Sequence, residues 1–215
     1  MLTFPRFLLV GLLTVAALPL AVPAQAMTVL AVELPQLVQT SELVLHGKVV
    51  AVQSRDRRAD GHGVWTEFTL EIADAWKGEE VLKVSPARAG KRFTWAHPGG
   101  LRSDGLMVSV PGMPSFAVGE EVVVALEKTA QGYVVCGGPQ GKWTVQTDKQ
   151  GKKTVQRDMP DVHFLTQNRQ TGAVTPGAAP LQPMKLLGDF KADVLAAQKA
   201  APQPAVAPIP VHRVK

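Results

Sequence analysis

Val64-Trp65-Thr66-Glu67-Phe68-Thr69-Leu70-Glu71-Ile72 is the stretch on which the reading of this fold turns. Val64, Thr66, Phe68, Leu70 and Ile72 alternate with Trp65, Glu67, Thr69 and Glu71, a period of two that suits a half-buried antiparallel strand. The alternation sets Trp65 on the face opposite Phe68 and Leu70, the one expected to meet solvent. A large aromatic there marks a contact or lies beneath another element.

Working upstream, Arg55 to Gly63 holds Asp60-Gly61 and a second glycine, which predicts a chain reversal. Leu43 to Val52 before it is rich in Val and Leu and reads as a strand, with Gly47 marking a bend or bulge. Leu34, Leu37 and Val38 recur at helical spacing with Pro35 allowed in a first turn, so a short helix is expected over 34–39. Downstream, the strand closes at Trp76-Lys77-Gly78, and Val81 to Ser85 reads as another short strand with Leu82 and Val84 on one face. Further strands are predicted at Leu106–Val110, Glu121–Glu127, Tyr133–Cys136, Lys142–Thr147 and Thr154–Arg157, separated by Gln131-Gly132, Gly137-Gly138-Pro139 and Asp148 to Gly151. Many short strands so punctuated predict a mainly all-β fold, either barrel or sandwich.

The ends of the chain differ from this middle. Arg6 followed by the apolar run Phe7–Leu20 and by Ala24-Gln25-Ala26 has the form of a secretory signal over residues 1–26, which makes Met27 the expected first residue of the mature chain. The product is expected outside the cytoplasm, periplasmic or secreted, with no transmembrane segment in the mature chain. Residues 27–170 read as one β domain. From Thr171 to 215 the chain turns to Ala, Pro and Gln, a tail in which Leu187, Phe190, Val194 and Leu195 predict one amphipathic helix around 184–200.

Composition narrows the chemistry. Removing Arg6 with the signal lowers the formal charge from +5 to +4, a mild bias, and the basic clusters 55–58 and 149–153 sit in turns without interleaved aromatics. Nucleic acid is therefore not an expected partner. The five histidines and Cys136 form no H-x-x-x-H, H-E-x-x-H or paired-Cys spacing, so no metal and no cofactor is expected. No G-x-S-x-G elbow occurs, and the adjacent pairs Glu79-Glu80 and Glu120-Glu121 would point to opposite strand faces, so no catalytic residue is assigned. Cys136 follows Tyr133-Val134-Val135 and reads as a buried core thiol. Phe93 to Phe116 is read as a long loop, a usual carrier of binding residues, with Trp95, His97, Met107 and Met113 as candidate contacts beside Trp65.

Ser41-Glu42-Leu43-Val44-Leu45-His46-Gly47-Lys48-Val49, the turn Trp76-Lys77-Gly78, the lead-in Phe116-Ala117-Val118-Gly119-Glu120 and the strand start Gln140-Gly141-Lys142-Trp143 form a recognisable set. The set resembles a loose group of exported bacterial proteins of unknown function, and its early part is similar to the oligonucleotide/oligosaccharide-binding (OB) barrel of netrin-type modules and tissue inhibitors of metalloproteinases. Over about residues 34–147 the resemblance implies an OB-like antiparallel barrel, closed or partly open, to which the helical spacings above add a short N-terminal helix and a C-terminal helix. Inhibitors of that type chelate a protease zinc through an N-terminal cysteine. This chain has no cysteine near Met27, so their mode of inhibition does not carry over. The resulting expectation is an exported, non-catalytic binding module contacting another exported protein, with a secreted protease as the class the resemblance implies. The alternatives are an envelope-associated structural protein acting through its tail, and a hydrolase using Cys136 or a histidine.

Overall fold

The computed structural model describes residues 27–157, 159, 162–168, 171–180 and 183–200; the expected signal segment 1–26 and residues 201–215 lie outside them. Along the chain, β1 (Met27–Leu30) leads to α1 (Leu34–Thr40), with Pro35 in its first turn. Two long strands follow, β2 (Leu43–Arg57) and β3 (Gly63–Lys77), and then the one-and-a-half-turn helix α2 (Glu79–Val84). The short β4 (Arg88–Ala89) precedes β5 (Arg92–Pro98), and β6 (Gly100–Leu101) with β7 (Met107–Val108) makes a small hairpin. Next come β8 (Glu121–Thr129), β9 (Gly132–Val135), β10 (Lys142–Thr147) and β11 (Lys153–Gln156). The last described elements are β12 (Val162–Gln167), β13 (Val174–Gly177), β14 (Lys185–Leu186) and α3 (Leu187–Lys199).

The chain is mainly β, and its largest sheet is antiparallel in the order β14-β11-β10-β8-β2-β3-β5-β4. The second edge of β8 is divided. Val122–Val124 pair with β10, whereas Leu126–Thr129 pair with β9. β9 curls back beside β5, where the Tyr133 and Phe93 rings meet edge-on at 5.0 Å. No ladder joins β5 to β9 among the described residues, so the sheet curls without closing into a barrel. The reason is local: β4 already occupies the edge of β5 at Arg92 and Phe93, and β9 is only four residues long. A separate sheet sets β1 parallel to β12, with β13 antiparallel on its other side.

Two cores lie on the two faces of β2 and β8. Leu43, Leu45, Val122, Val124 and Leu126 point into the curled sheet with Phe68, Leu70, Phe93, Trp95 and Phe116. Val44, Val123 and Ala125 point the other way, under α1 and α3, with Leu37, Trp76, Trp143, Phe190 and Val194. Burial on both faces explains why Val122-Val123-Val124-Ala125-Leu126 is an unbroken apolar run, whereas β3 alternates. Trp143 and Trp76 receive the Phe190 ring at 5.2 and 6.0 Å, so α3 of the Pro/Ala-rich tail seats on the same core as α1.

The motif residues serve this frame. Trp76 fills the second core, and the Lys77 ammonium donates to the Val38, Gln39 and Ser41 carbonyls at the end of α1. Gly78 has φ of 80°, and a Cβ there would stand 2.4 Å from the Glu42 carbonyl oxygen. Gln140, fully buried, accepts from the Val32 amide and donates to the Leu30 carbonyl, both at 2.8 Å, fastening the start of the chain to the sheet.

Gly47 sits at a register shift between β2 and β3, as its position in the sequence predicts. A Cβ there would lie 2.1 Å from the Glu71 carbonyl oxygen, a backbone atom of a paired strand that cannot swing away. Gly47→Ala is expected to destabilise the fold by about 3 kcal/mol through overpacking. Urea titration should show a lower midpoint at unchanged slope; an unchanged midpoint would mean that the strands do not approach so closely.

Val81–Ser85 and Phe93–Phe116 depart from expectation, and β13 forms where the sequence suggests only a linker-like tail. Val81–Ser85 is not a strand: Gly78 turns the chain and Glu79-Glu80 start α2, which buries Leu82 while leaving Val84 83% exposed. A strand would have sent both to one face. Phe93–Phe116 is not one long loop, because residues 92–98 form β5 and pair with β3 from Glu71 to Trp65. Phe93, Trp95 and His97 alternate inward there, and a histidine in the third inward place hid the period.

Candidate binding groove

The outer face of the β2–β3 hairpin carries an open groove of about 750 Å³. Its floor is Trp65, half-buried, with Glu67 and Ala96 beside it; its ends are the hairpin tip at Arg57 and His62 and the β8–β9 turn at Ala130 and Gln131. Period-two alternation produces this arrangement. Val64 and Phe68 go to the core, so Trp65 and Glu67 must go out. The indole Nε1 donates to the His62 carbonyl at 2.6 Å, which fixes the ring against the tip. Across the ladder from Trp65 stands Arg55, whose Nε donates to Glu67 at 3.0 Å. Both partners are exposed, so this pair orients side chains rather than stabilising the fold appreciably.

The tip is braced from its other face. Asp56 accepts from the Arg58 guanidinium at 2.7 and 2.9 Å and from the Ser103 amide and hydroxyl at 2.9 and 2.8 Å. These bonds, that of Arg58 foremost, hold the Asp56 carboxyl far below the usual carboxylate range. They also tie the β6–β7 hairpin to β2, helped by the Leu101 amide donating to Ser54 Oγ at 3.0 Å. Leu101, Leu106 and Met107 remain exposed on that hairpin, Met107 at 68%.

The five sequence candidates therefore do not share one surface. Trp65 lines the groove and Met107 projects from the β6–β7 hairpin. Met113 is half-buried in the following loop, its amide donating to the Val110 carbonyl at 3.3 Å. Trp95, 2% exposed, is enclosed between Phe68 and Phe116, with ring centroids at 5.7 and 5.1 Å. His97, 3% exposed, lies beside the same two rings at 5.2 and 5.8 Å. Neither has a face to offer a partner. Arg55, Arg57, Ala130 and Gln131 were not singled out from sequence as contacts; only the pairing of β2 with β3 and the curl of β8–β9 bring them to Trp65.

His97 is pulled down to about 4, by burial first; the Lys142 ammonium pushes the same way, and the Pro114 carbonyl opposes without offsetting them. Beyond that weak contact, neither ring nitrogen has a hydrogen-bond partner of good geometry among the described residues. Cys136 lies under α1 with its Sγ 3.9 Å from the Leu37 carbonyl, and burial pushes its thiol up to about 12. A thiol so placed stays protonated and is a poor nucleophile. Among the described residues no three His, Cys, Asp or Glu side chains converge as metal ligands, and no helix is long and apolar enough to cross a membrane.

No protein-family model matches the chain, and no curated protein or solved structure matches it.

Proposed function

We propose that this chain is an exported binding module that holds a segment of another exported protein across the Trp65 groove. The observation that carries the reading is the placement of a half-buried tryptophan on the floor of an open groove, between the β2–β3 tip and the β8–β9 turn. Aromatic anchors of this kind supply much of the energy of protein interfaces, being large, amphipathic and costly in few torsions. Export follows from the signal-like segment 1–26, and a secreted protease is the partner class favoured by the resemblance described above.

An OB-like frame fits the same proposal. Taken around the curl, the strands run β2-β3-β5, then β9 beside β5, then β8 back to β2, which is the strand order of an OB barrel with one seam open. In that architecture ligands lie on the outer face of the second and third strands, between the loop joining strands one and two and the loop joining strands four and five. Here those loops are residues 58–62 and 130–131, the two ends of the groove. Fold alone does not assign a ligand, so the weight rests on the groove.

Affinity capture from the exported proteins of the source organism, with the wild-type chain and with Trp65→Ala, tests the reading. Removing an anchor of this size is expected to weaken binding of the captured protein by about 30-fold or more. Folding stability should change by less than about 1 kcal/mol, because the ring touches the hairpin tip but not the core. Equal affinity of the two proteins for the same partner would remove the groove as the binding site.

A further inference from the structure

On the opposite side of the molecule, under α1 and α3, lies a half-enclosed cavity of about 200 Å³. Its walls are Leu34, Trp143, Val155 and Phe190, with Arg157 at one side and the Lys185–Asp193 pair near its mouth. Arg157 is the feature without an explanation. Its guanidinium stacks on the Trp143 ring at 4.8 Å, while Nε and both terminal nitrogens are shut off from solvent and make no hydrogen bond among the described residues. Glu33, which also lines the cavity, acts on it as a nearby charge that only partly offsets burial, and Asp193 is engaged by Lys185 at 2.5 Å.

A guanidinium carries five N–H donors in a rigid fork and cannot escape by losing a proton in the working pH range. Burying it without an anion is among the costlier things a fold can do. Burial lowers its proton affinity to about 10, still far above neutrality, so the charge stays. A planar carboxylate is the group whose geometry matches such a fork through two parallel hydrogen bonds.

We propose that this cavity binds a small carboxylate with an apolar ring or branched side chain, the carboxylate pairing with Arg157 and the apolar part lying against Phe190 and Leu34. The size agrees, since an apolar cavity of about 150 Å³ already accepts benzene, and a benzoate-sized ligand needs slightly more. Trp143 on one side of the guanidinium and Phe190 on the cavity wall give a ring two aromatic surfaces to lie against. The same chemistry is available from a free acid or from the terminal residue of a peptide chain. This site is separate from the Trp65 groove and does not depend on it.

The test uses the purified protein with benzoate, with its neutral isostere benzamide, and with a short peptide ending in Phe as either free carboxylate or amide. Benzoate at about ten times its Kd is expected to raise the melting temperature by about 3 to 6 °C, with no shift from benzamide. In parallel, the Arg157 side-chain Nε–H resonance of the wild-type protein should move on addition of benzoate, a readout that needs no variant to fold. Arg157→Gln should abolish the thermal response. A response to benzoate but not to the peptide acid marks a free acid as the ligand, and the reverse marks a chain end; either supports the site. The proposal is overturned if neither acid perturbs the Arg157 resonance, or if benzamide acts as strongly as benzoate. It is overturned equally if benzoate acts only after Asp158→Asn and Asp161→Asn, because Arg157 would then already be met by the chain's own carboxylates.

Discussion

Lowering the pH from about 7.5 to about 5 is expected to remove roughly 2 kcal/mol of folding stability through His97 alone. In the folded protein this imidazole is pulled down to about 4 by burial beside Phe68 and Phe116, whereas in the unfolded chain it titrates near 6.5. Between those values the unfolded chain binds a proton that the folded protein refuses, so acid favours unfolding. The contribution is fully present above the unfolded value, falls as pH drops through 6.5, and levels off below about 4 at a loss of about 3 kcal/mol. Urea titrations at the two pH values, on the wild type and on His97→Leu, isolate the effect. The leucine variant should lose about 2 kcal/mol less over the same interval. Because the ring is buried among aromatic side chains and its one polar contact, to the Pro114 carbonyl, is weak, leucine should also be tolerated at neutral pH. Equal losses in the two proteins would show that His97 is solvated and the pocket around it open.

Trp95→Ala is expected to cost about 3 to 5 kcal/mol, enough to lower the melting temperature by roughly 10 °C or more in a protein of this size. The side chain is enclosed by Phe68, Phe116 and the inner faces of β2 and β8, so its removal leaves a cavity bounded by elements that cannot collapse. The indole Nε1 is buried without a hydrogen-bond partner, and Trp95→Phe removes that orphan while keeping an aromatic ring. The phenylalanine variant should therefore lose about half as much as the alanine variant or less, because it leaves a smaller void. Thermal melts of the two variants decide the matter. A mild alanine variant would contradict enclosure, and a phenylalanine variant as severe as alanine would mean that the indole makes a contact beyond the packing of its ring. Either way, loss of partner capture in Trp95→Ala reports on folding, whereas loss in Trp65→Ala reports on contact.

The difference between these two tryptophans measures how far the sequence could be read. Trp65 stands at an odd position in an otherwise clean alternation, and its outward side follows from the strand period without tertiary information. Trp95 stands in Phe93-Thr94-Trp95-Ala96-His97, which also alternates, but with a histidine in an inward place and Gly-Pro punctuation close by. Composition therefore favoured a loop. Only the pairing with β3 settles the matter, because a neutral histidine is an acceptable core residue once aromatic rings surround it. Val81–Ser85 differs for the complementary reason: a short apolar run fits either period, and the αL turn at Gly78 followed by two glutamates favours helix.

Legible in the sequence were the mainly β character, the bulge at Gly47, the short helix after residue 33, the outward side of Trp65 and most of the apolar face of α3, where Phe190 and Val194 are buried but Leu195 is left exposed. All of these depend on periods and backbone preferences that act within a few residues. Burial of β2 and β8 on both faces, the open seam between β5 and β9, and the seating of α3 on Trp76 and Trp143 arise from long-range packing. The same holds for the two candidate sites. Arg57 meets Gln131 beside Trp65, and Leu34 meets Arg157 and Phe190, through residues far apart in the chain. Such convergence depends on strand register and loop closure, which leave no local period in the sequence, and it becomes visible only when the two faces of one sheet have each found their cover.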